Sequence, residues 1–311
     1  TVGFQPDFTW IKNRQTTDFP QAFDSLRGVT QVLLPSESTS EATNDDTLTH
    51  FLSNGFTTGD DDVTNTNGEG YVAWNWKAGG NAAAVSSNTE GSINTTDTSA
   101  NVDSGFSIST YIGTGSAATI GHGLSKAPEM YIIRQRNLSG NWWTYHKDVG
   151  ATHSLRLDTN SSSYDDSVIF NDTAPTADVV SIGTYSDVNR NTGTFLCYAF
   201  HSVDGYSKVG SYTGNGNADG TFIYTGFRPA YIMTKRVNNT SHWEIHDIKR
   251  GQTALLFANL SIAEIDNSAY RIDSNANGVK IRNSEAASNA NGEPYIYIAF
   301  AETPFKYSNA R

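Results

Sequence analysis

The chain has one cysteine, Cys197, in 311 residues. A single thiol makes no intrachain disulfide, so the fold is held by core burial alone. Positive charge is also scarce: 21 Lys and Arg stand against 32 Asp and Glu, a net charge of −11 at neutral pH. Nucleic acid and anionic membrane surfaces both need clustered Lys and Arg, so neither is expected as a partner. No stretch approaches the ~20 apolar residues of a membrane helix. The first residues, TVGFQPDFTW, have neither the basic nor the apolar region of a signal peptide. They start inside a motif and without Met, from which the chain is expected to be a piece of something longer. Helix signals are few. The best is Ala258 to Asn267, ANLSIAEIDN, where Ser261 caps and Glu264 follows three residues on.

Aromatic residues, by contrast, reach 12%, too many for a disordered chain. They fall in phrases that recur three times. GFQPDFTWIKNR begins at Gly3, GLSKAPEMYIIRQR at Gly123 and GFRPAYIMTKR at Gly226. Aligned on Pro6, Pro128 and Pro229, they alternate with period two, which predicts a strand opened by proline, where no ladder donor is needed. A second phrase reads YVAWNW from Tyr71, FLCYAF from Phe195 and YIYIAF from Tyr295. Val72, Trp74 and Trp76 share one face, as do Leu196, Tyr198, Phe200 and Ile296, Ile298, Phe300. That face is large and apolar every time and is assigned to a core. Turn residues NGEG, NTG and NGEP precede the copies. A third phrase occurs twice, GFSISTYIGTG from Gly105 and GYSKVGSYTGNG from Gly205, and leads into the proline phrase. The first copy lacks it.

Repetition at this period means tandem modules. They are placed at 1–80, 105–203 and 204–311, with 81–104 as an extended linker holding one edge strand near Ile93. Short strands with Gly, Asn and Ser turns predict an all-β fold of antiparallel sandwich or jelly-roll-like modules, with very little helix.

Chemistry-bearing constellations are weak. His242, Glu244 and His246 lie on one strand face and could chelate a metal, but the other copies place Phe23 and Thr144 among the equivalents, which favours packing. Asp60, Asp61 and Asp62, like Asp165 and Asp166, fall in polar loops rather than on framework strands where an acid pair would be held. No nucleophile elbow is present. Calcium is a minor alternative at DSNANG (273–278) and NGNADG (215–220), neither of which has the closing bidentate Glu. No catalytic residue and no cofactor is therefore assigned, and no metal ligand. Lys12, Arg134 and Lys235 recur at one position and either serve the fold or present charge to a ligand. Aligning Trp143 with Trp243 puts Trp142 on an outer face beside Thr144 and His146, where it could stack on a sugar or on another subunit.

The phrases GFQPDFTWIKNR, YVAWNWKAGG, VGSYTGNGNADGTFIYTGFRPAYIMTKR and YIYIAFAETPFKYSNAR resemble an uncharacterised repeat module of structural and tail-fibre-like proteins of marine tailed bacteriophages, cyanophages among them. The resemblance spans nearly the whole chain. It implies a virion protein, most naturally a tail fibre or receptor-binding appendage that contacts other virion subunits and host-surface glycan. By analogy with fibres, a homotrimer is expected. A purely structural part such as a capsid decoration, or a polysaccharide depolymerase, are the alternatives.

Overall fold

In a computed structural model, residues 1–80 and 86–303 are described. The first repeat forms β1 (Phe8–Asn13), β2 (Gln21–Asp24), β3 (Gln31–Val32), β4 (Ala42–Thr43), β5 (Leu48–Leu52), β6 (Gly55–Thr58), a one-turn α1 (Asp62–Asn65) and β7 (Tyr71–Trp76). Then come β8 (Asp97–Asn101), β9 (Phe106–Ile112), β10 (Ala118–Gly121), β11 (Met130–Gln135), β12 (Trp143–His146), β13 (His153–Arg156) and β14 (Tyr164–Asp165). The second repeat finishes with α2 (Ser167–Phe170), β15 (Val179–Ile182), α3 (Ser186–Asn189) and β16 (Thr194–Phe200). The third comprises β17 (Ser207–Thr213), β18 (Phe222–Tyr224), β19 (Pro229–Arg236), β20 (Glu244–Asp247), β21 (Ala254–Phe257), β22 (Ile265–Asp266), β23 (Ile272–Asn275), β24 (Gly278–Ile281), α4 (Ala286–Asn289) and β25 (Pro294–Ala301).

The fold is all-β and antiparallel, and one strand order is built three times. The second sheet runs β8-β9-β16-β11-β12-β13-β14 and the third β17-β25-β19-β20-β21-β22. The first runs β7-β1-β2 and continues through the Ala22–Leu33 bridge to β3 and β4. Register makes the repeats equivalent residue by residue: Phe8 faces Trp76, Met130 faces Phe200 and Tyr231 faces Phe300. On the other side Asp24, His146 and Asp247 are the matching partners. Gly3, Gly123 and Gly226, which open the proline phrases, all hold positive φ, a turn that only glycine takes without strain.

Side-chain alternation sends one face of each sheet inward to a core shared by all three. Phe8, Trp10, Trp74 and Trp76 meet Met130, Ile132, Tyr198 and Phe200, and these meet Tyr231, Met233, Ile296 and Ile298. The equivalent rings Trp76, Phe200 and Phe300 touch around the centre, Phe300 lying 5.6 Å from Trp76 and 6.2 Å from Phe200. A void of about 30 Å³ remains there, room for no more than water. The opposite faces each have a smaller core: Phe195, Cys197 and Ala199 in the second repeat, Tyr295, Tyr297 and Ala299 in the third.

Two expectations are corrected. The segment from Ala258 to Asn267 is not helical: it ends in β22, and Glu264 forms ion pairs with Arg14 and Arg250 instead of capping a helix. The strand before the second repeat lies at Asp97–Asn101, whereas Ile93 makes only a single bridge with Ile120.

Candidate functional site

Three sheets around one core create three junctions, and the same backbone bond closes each. The Glu264 N–H donates to the Arg14 carbonyl, that of Glu41 to Arg136, and that of Ser163 to Val237, every time at 2.8 Å. The ring therefore closes third to first, first to second, second to third.

The side chains do not follow this symmetry. Glu41 accepts from Arg136 at 2.8 Å and from Arg27 at 2.9 Å, and Arg27 also holds Asp24 at 2.5 Å. Glu264 repeats the arrangement with Arg14 at 2.7 Å and Arg250 at 2.5 Å. Burial pushes the Glu41 and Glu264 carboxyls up, but hydrogen bonds and charge from the paired arginines outweigh it and hold both below the usual carboxylate value. A neighbouring bond is also matched: the Tyr198 hydroxyl donates to Asp24 at 2.7 Å and the Trp74 indole to Asp247 at 3.2 Å. At the junction of second and third sheets the triad residues become Val149, Ser163 and Val237. His146 stands at the place of Asp24 and Asp247, its Nε2 3.4 Å from the Tyr297 carbonyl.

Three short side chains replace two arginines and a glutamate, and a cleft of about 440 Å³ opens there. The second repeat lines it with Asp148, Val149, His153 and Ser163; the third does so with Ser211, Tyr212, Thr213, Val237, Asn238, Pro294, Tyr295 and Ile296. Tyr212 and Tyr295 reach the cleft through their backbone, while their rings stack at 4.9 Å in the third repeat's own small core. Ser211, Thr213 and Asn238 are exposed at the rim. The volume suits a small organic ligand, and the polar lining, with Asp148 exposed in it, suits one rich in hydroxyls.

The residues singled out from sequence lie elsewhere. Trp142 is corrected: it is 1% exposed and packs in the shared core, not on an outer face. Its indole donates to the Leu34 and Glu37 carbonyls of the first repeat at 3.0 and 3.1 Å. Its counterpart is Trp243, whose indole donates to the Arg156 carbonyl at 2.9 Å. His146 is buried, and burial lowers its ring to about 4, so it is neutral at pH 7. Lys12, Arg134 and Lys235 are equivalent and buried, so none presents charge at a surface. Each caps carbonyls: Lys12 that of Thr16 at 3.1 Å, Arg134 those of Gly140 and Thr39, Lys235 that of Arg236 at 2.7 Å. Desolvation lowers the three to about 8, 10 and 8. Glu244 and His246 face the third repeat's own small core, and Asp273 of DSNANG pairs with Arg271 and Arg282 in the β23–β24 hairpin. Burial pushes the Cys197 thiol up to about 12.

A signal for the cleft was present in the repeats. The residue two beyond the recurrent cation reads Arg14, Arg136 and then Val237, a break in pattern at the third copy. The family model described as a domain of unknown function (DUF7483) matches residues 1–304. No curated protein and no solved structure matches the chain.

Proposed function

The chain belongs to the DUF7483 family, and from that premise we propose that it is a non-catalytic module of a tailed-phage virion, a tail-fibre or receptor-binding part that takes a short host-surface saccharide in the cleft between its second and third sheets. The resemblance of its repeated phrases to phage tail-fibre-like modules supports the setting. The odd junction supports the site: of three equivalent junctions, two hold an Arg–Glu–Arg cluster and the third holds a cleft. Rim hydroxyls and an amide from Ser211, Thr213 and Asn238, the Asp148 carboxylate and the apolar Val149, Val237 and Pro294 suit a sugar ring, which binds weakly per site and gains through multivalency on a particle. Other virion subunits are the remaining partners.

The test is to rebuild the missing cluster. A Val149→Arg, Ser163→Glu, Val237→Arg, His146→Asp variant restores the Arg–Glu–Arg cluster together with the aspartate that holds it in the two charged junctions, and fills the cleft. On a glycan array the unmodified chain is expected to bind and the rebuilt variant to lose the signal while keeping its melting temperature. Signal unchanged by the filling removes the cleft as the site. Antibody labelling of virions by negative stain tests the setting separately, and label on the capsid shell would replace the tail assignment with a decoration role.

A further inference from the structure

The second and third sheets protect one side by the same device. β9 lies along β16, and β17 along β25. The chain then turns into a second layer, where β10 pairs with β15 and β18 with β24. Buried groups lock the segment in place. The Tyr111 hydroxyl donates to the Val188 carbonyl at 2.6 Å, and that of Tyr212 to Ser288 at 2.8 Å. Asn189 accepts the Thr114 N–H and donates to Ser116; Asn289 accepts that of Asn215 and donates to Asn217.

The first repeat has the receiving half of this device. Among the described residues β7 pairs with β1 alone and β6 with β5 alone. The Arg14 N–H donates to the Gly70 carbonyl, so ladder bonds to β1 come from Val72, Trp74 and Trp76, and the backbone groups of Tyr71, Ala73 and Asn75 point away from it. These three are half-buried, whereas their counterparts in β16 and β25 are buried. Asn65 donates to Gly59 as Asn189 does to Gly183 and Asn289 to Asn283, yet it is exposed where they are fully buried. The small core beneath leaves Phe51, Phe56 and Tyr71 only partly covered.

We infer that the outer edge of β7, which pairs with no second strand among the described residues and whose Ala73 carbonyl is bonded by the Asn75 side chain, forms with the groove beside Asn65 a binding site for an extended polypeptide segment of the β17–β18 type. The equivalent sheets show what such an occupant supplies. It lies antiparallel along the edge, turns a tyrosine inward onto the small core, and offers backbone N–H and C=O groups to Asn65 at its exit. Strand addition of this kind takes affinity from main-chain bonds and selectivity from alternate side chains.

The probe is a labelled synthetic peptide of residues 206–225, YSKVGSYTGNGNADGTFIYT, titrated into the full chain by fluorescence anisotropy. Saturable binding is expected, with a melting temperature that rises with peptide concentration. Ala73→Pro removes an outward N–H without touching the ladder to β1 and is expected to weaken binding by about tenfold or more. Asn65→Ala, at an exposed position, is expected to weaken it by more than its small effect on the melting temperature of the free chain, which loses the one bond to Gly59. Absent binding, or equal affinity in both variants, overturns the assignment. So does self-association of the chain that the peptide disperses, since the occupant would then be a second copy.

Discussion

Glu244 shows how one side chain sets the pH response of the interior. It is fully buried, and among the described residues neither carboxylate oxygen has a hydrogen-bond partner. Desolvation first, then the nearby Glu285 charge, raises it to about 8 from 4.5. Its folded value lies above its unfolded one, so between those limits the folded state holds a proton that the unfolded state has released, and stability falls as pH rises through that window. Glu244→Gln removes the fall. Thermal melts should coincide at about pH 4, with the variant more stable by roughly 2 kcal/mol or more at about pH 9; equal melts at both values would mean the carboxyl is solvated. Trp142 makes a second test. Trp142→Ala empties part of the shared core and strands two carbonyls, and is expected to cost about 3–5 kcal/mol in denaturant unfolding. A loss below about 1 kcal/mol would return the ring to the surface.

The elements that matter most are the short strands and loops at the junctions. Glu41 precedes β4 and reaches across to Arg136 while holding Arg27, whose side chain is wholly buried. Glu41→Gln leaves Arg27 with Asp24 as its one carboxylate and takes the charge partner from Arg136, and is expected to cost about 1–3 kcal/mol. Ser163→Glu, at the equivalent place, brings a carboxylate beside Val149 and Val237 and is expected to destabilise by itself. Urea titrations of the two single variants check both; a tolerated Ser163→Glu would mean that junction is already wet enough to solvate a charge. The strands themselves were legible, since proline heads, period-two alternation and Asn-Gly turns are local. The register of one was not. NWWTYH invites a match of Trp143 to Trp243, because both then sit three residues before a histidine. Pairing sets Trp142 against Trp243 instead, through His146 and Asp247. A one-residue shift exchanges the faces of a strand, and that alone moved Trp142 from an outer face to the core.

For the whole molecule, the shared core is decisive. Each sheet has a core of its own on one side, but the large apolar residues of its other face point to the centre and are covered by the other two sheets. The repeats are thus coupled, and unfolding should be one cooperative transition by calorimetry, with calorimetric and van't Hoff enthalpies equal. Resolved separate transitions would show that the repeats are stable alone. The isolated segment 204–303 should stay unfolded or aggregate, because it exposes Tyr231, Met233, Trp243 and Ile298.

The sequence by itself determined the β-class, the threefold recurrence of the framework and which face of each framework strand is apolar, because these follow from backbone sterics and the alternation of neighbouring residues. It left open where those apolar faces meet. Only the tertiary structure decided that three sheets close on a common centre, that Glu41 and Glu264 are each held between two arginines drawn from different repeats, and that the remaining junction is a cleft. Those partners are far apart in the chain, Arg14 and Glu264 by 250 residues. Their meeting depends on how whole sheets pack, which no local pattern encodes.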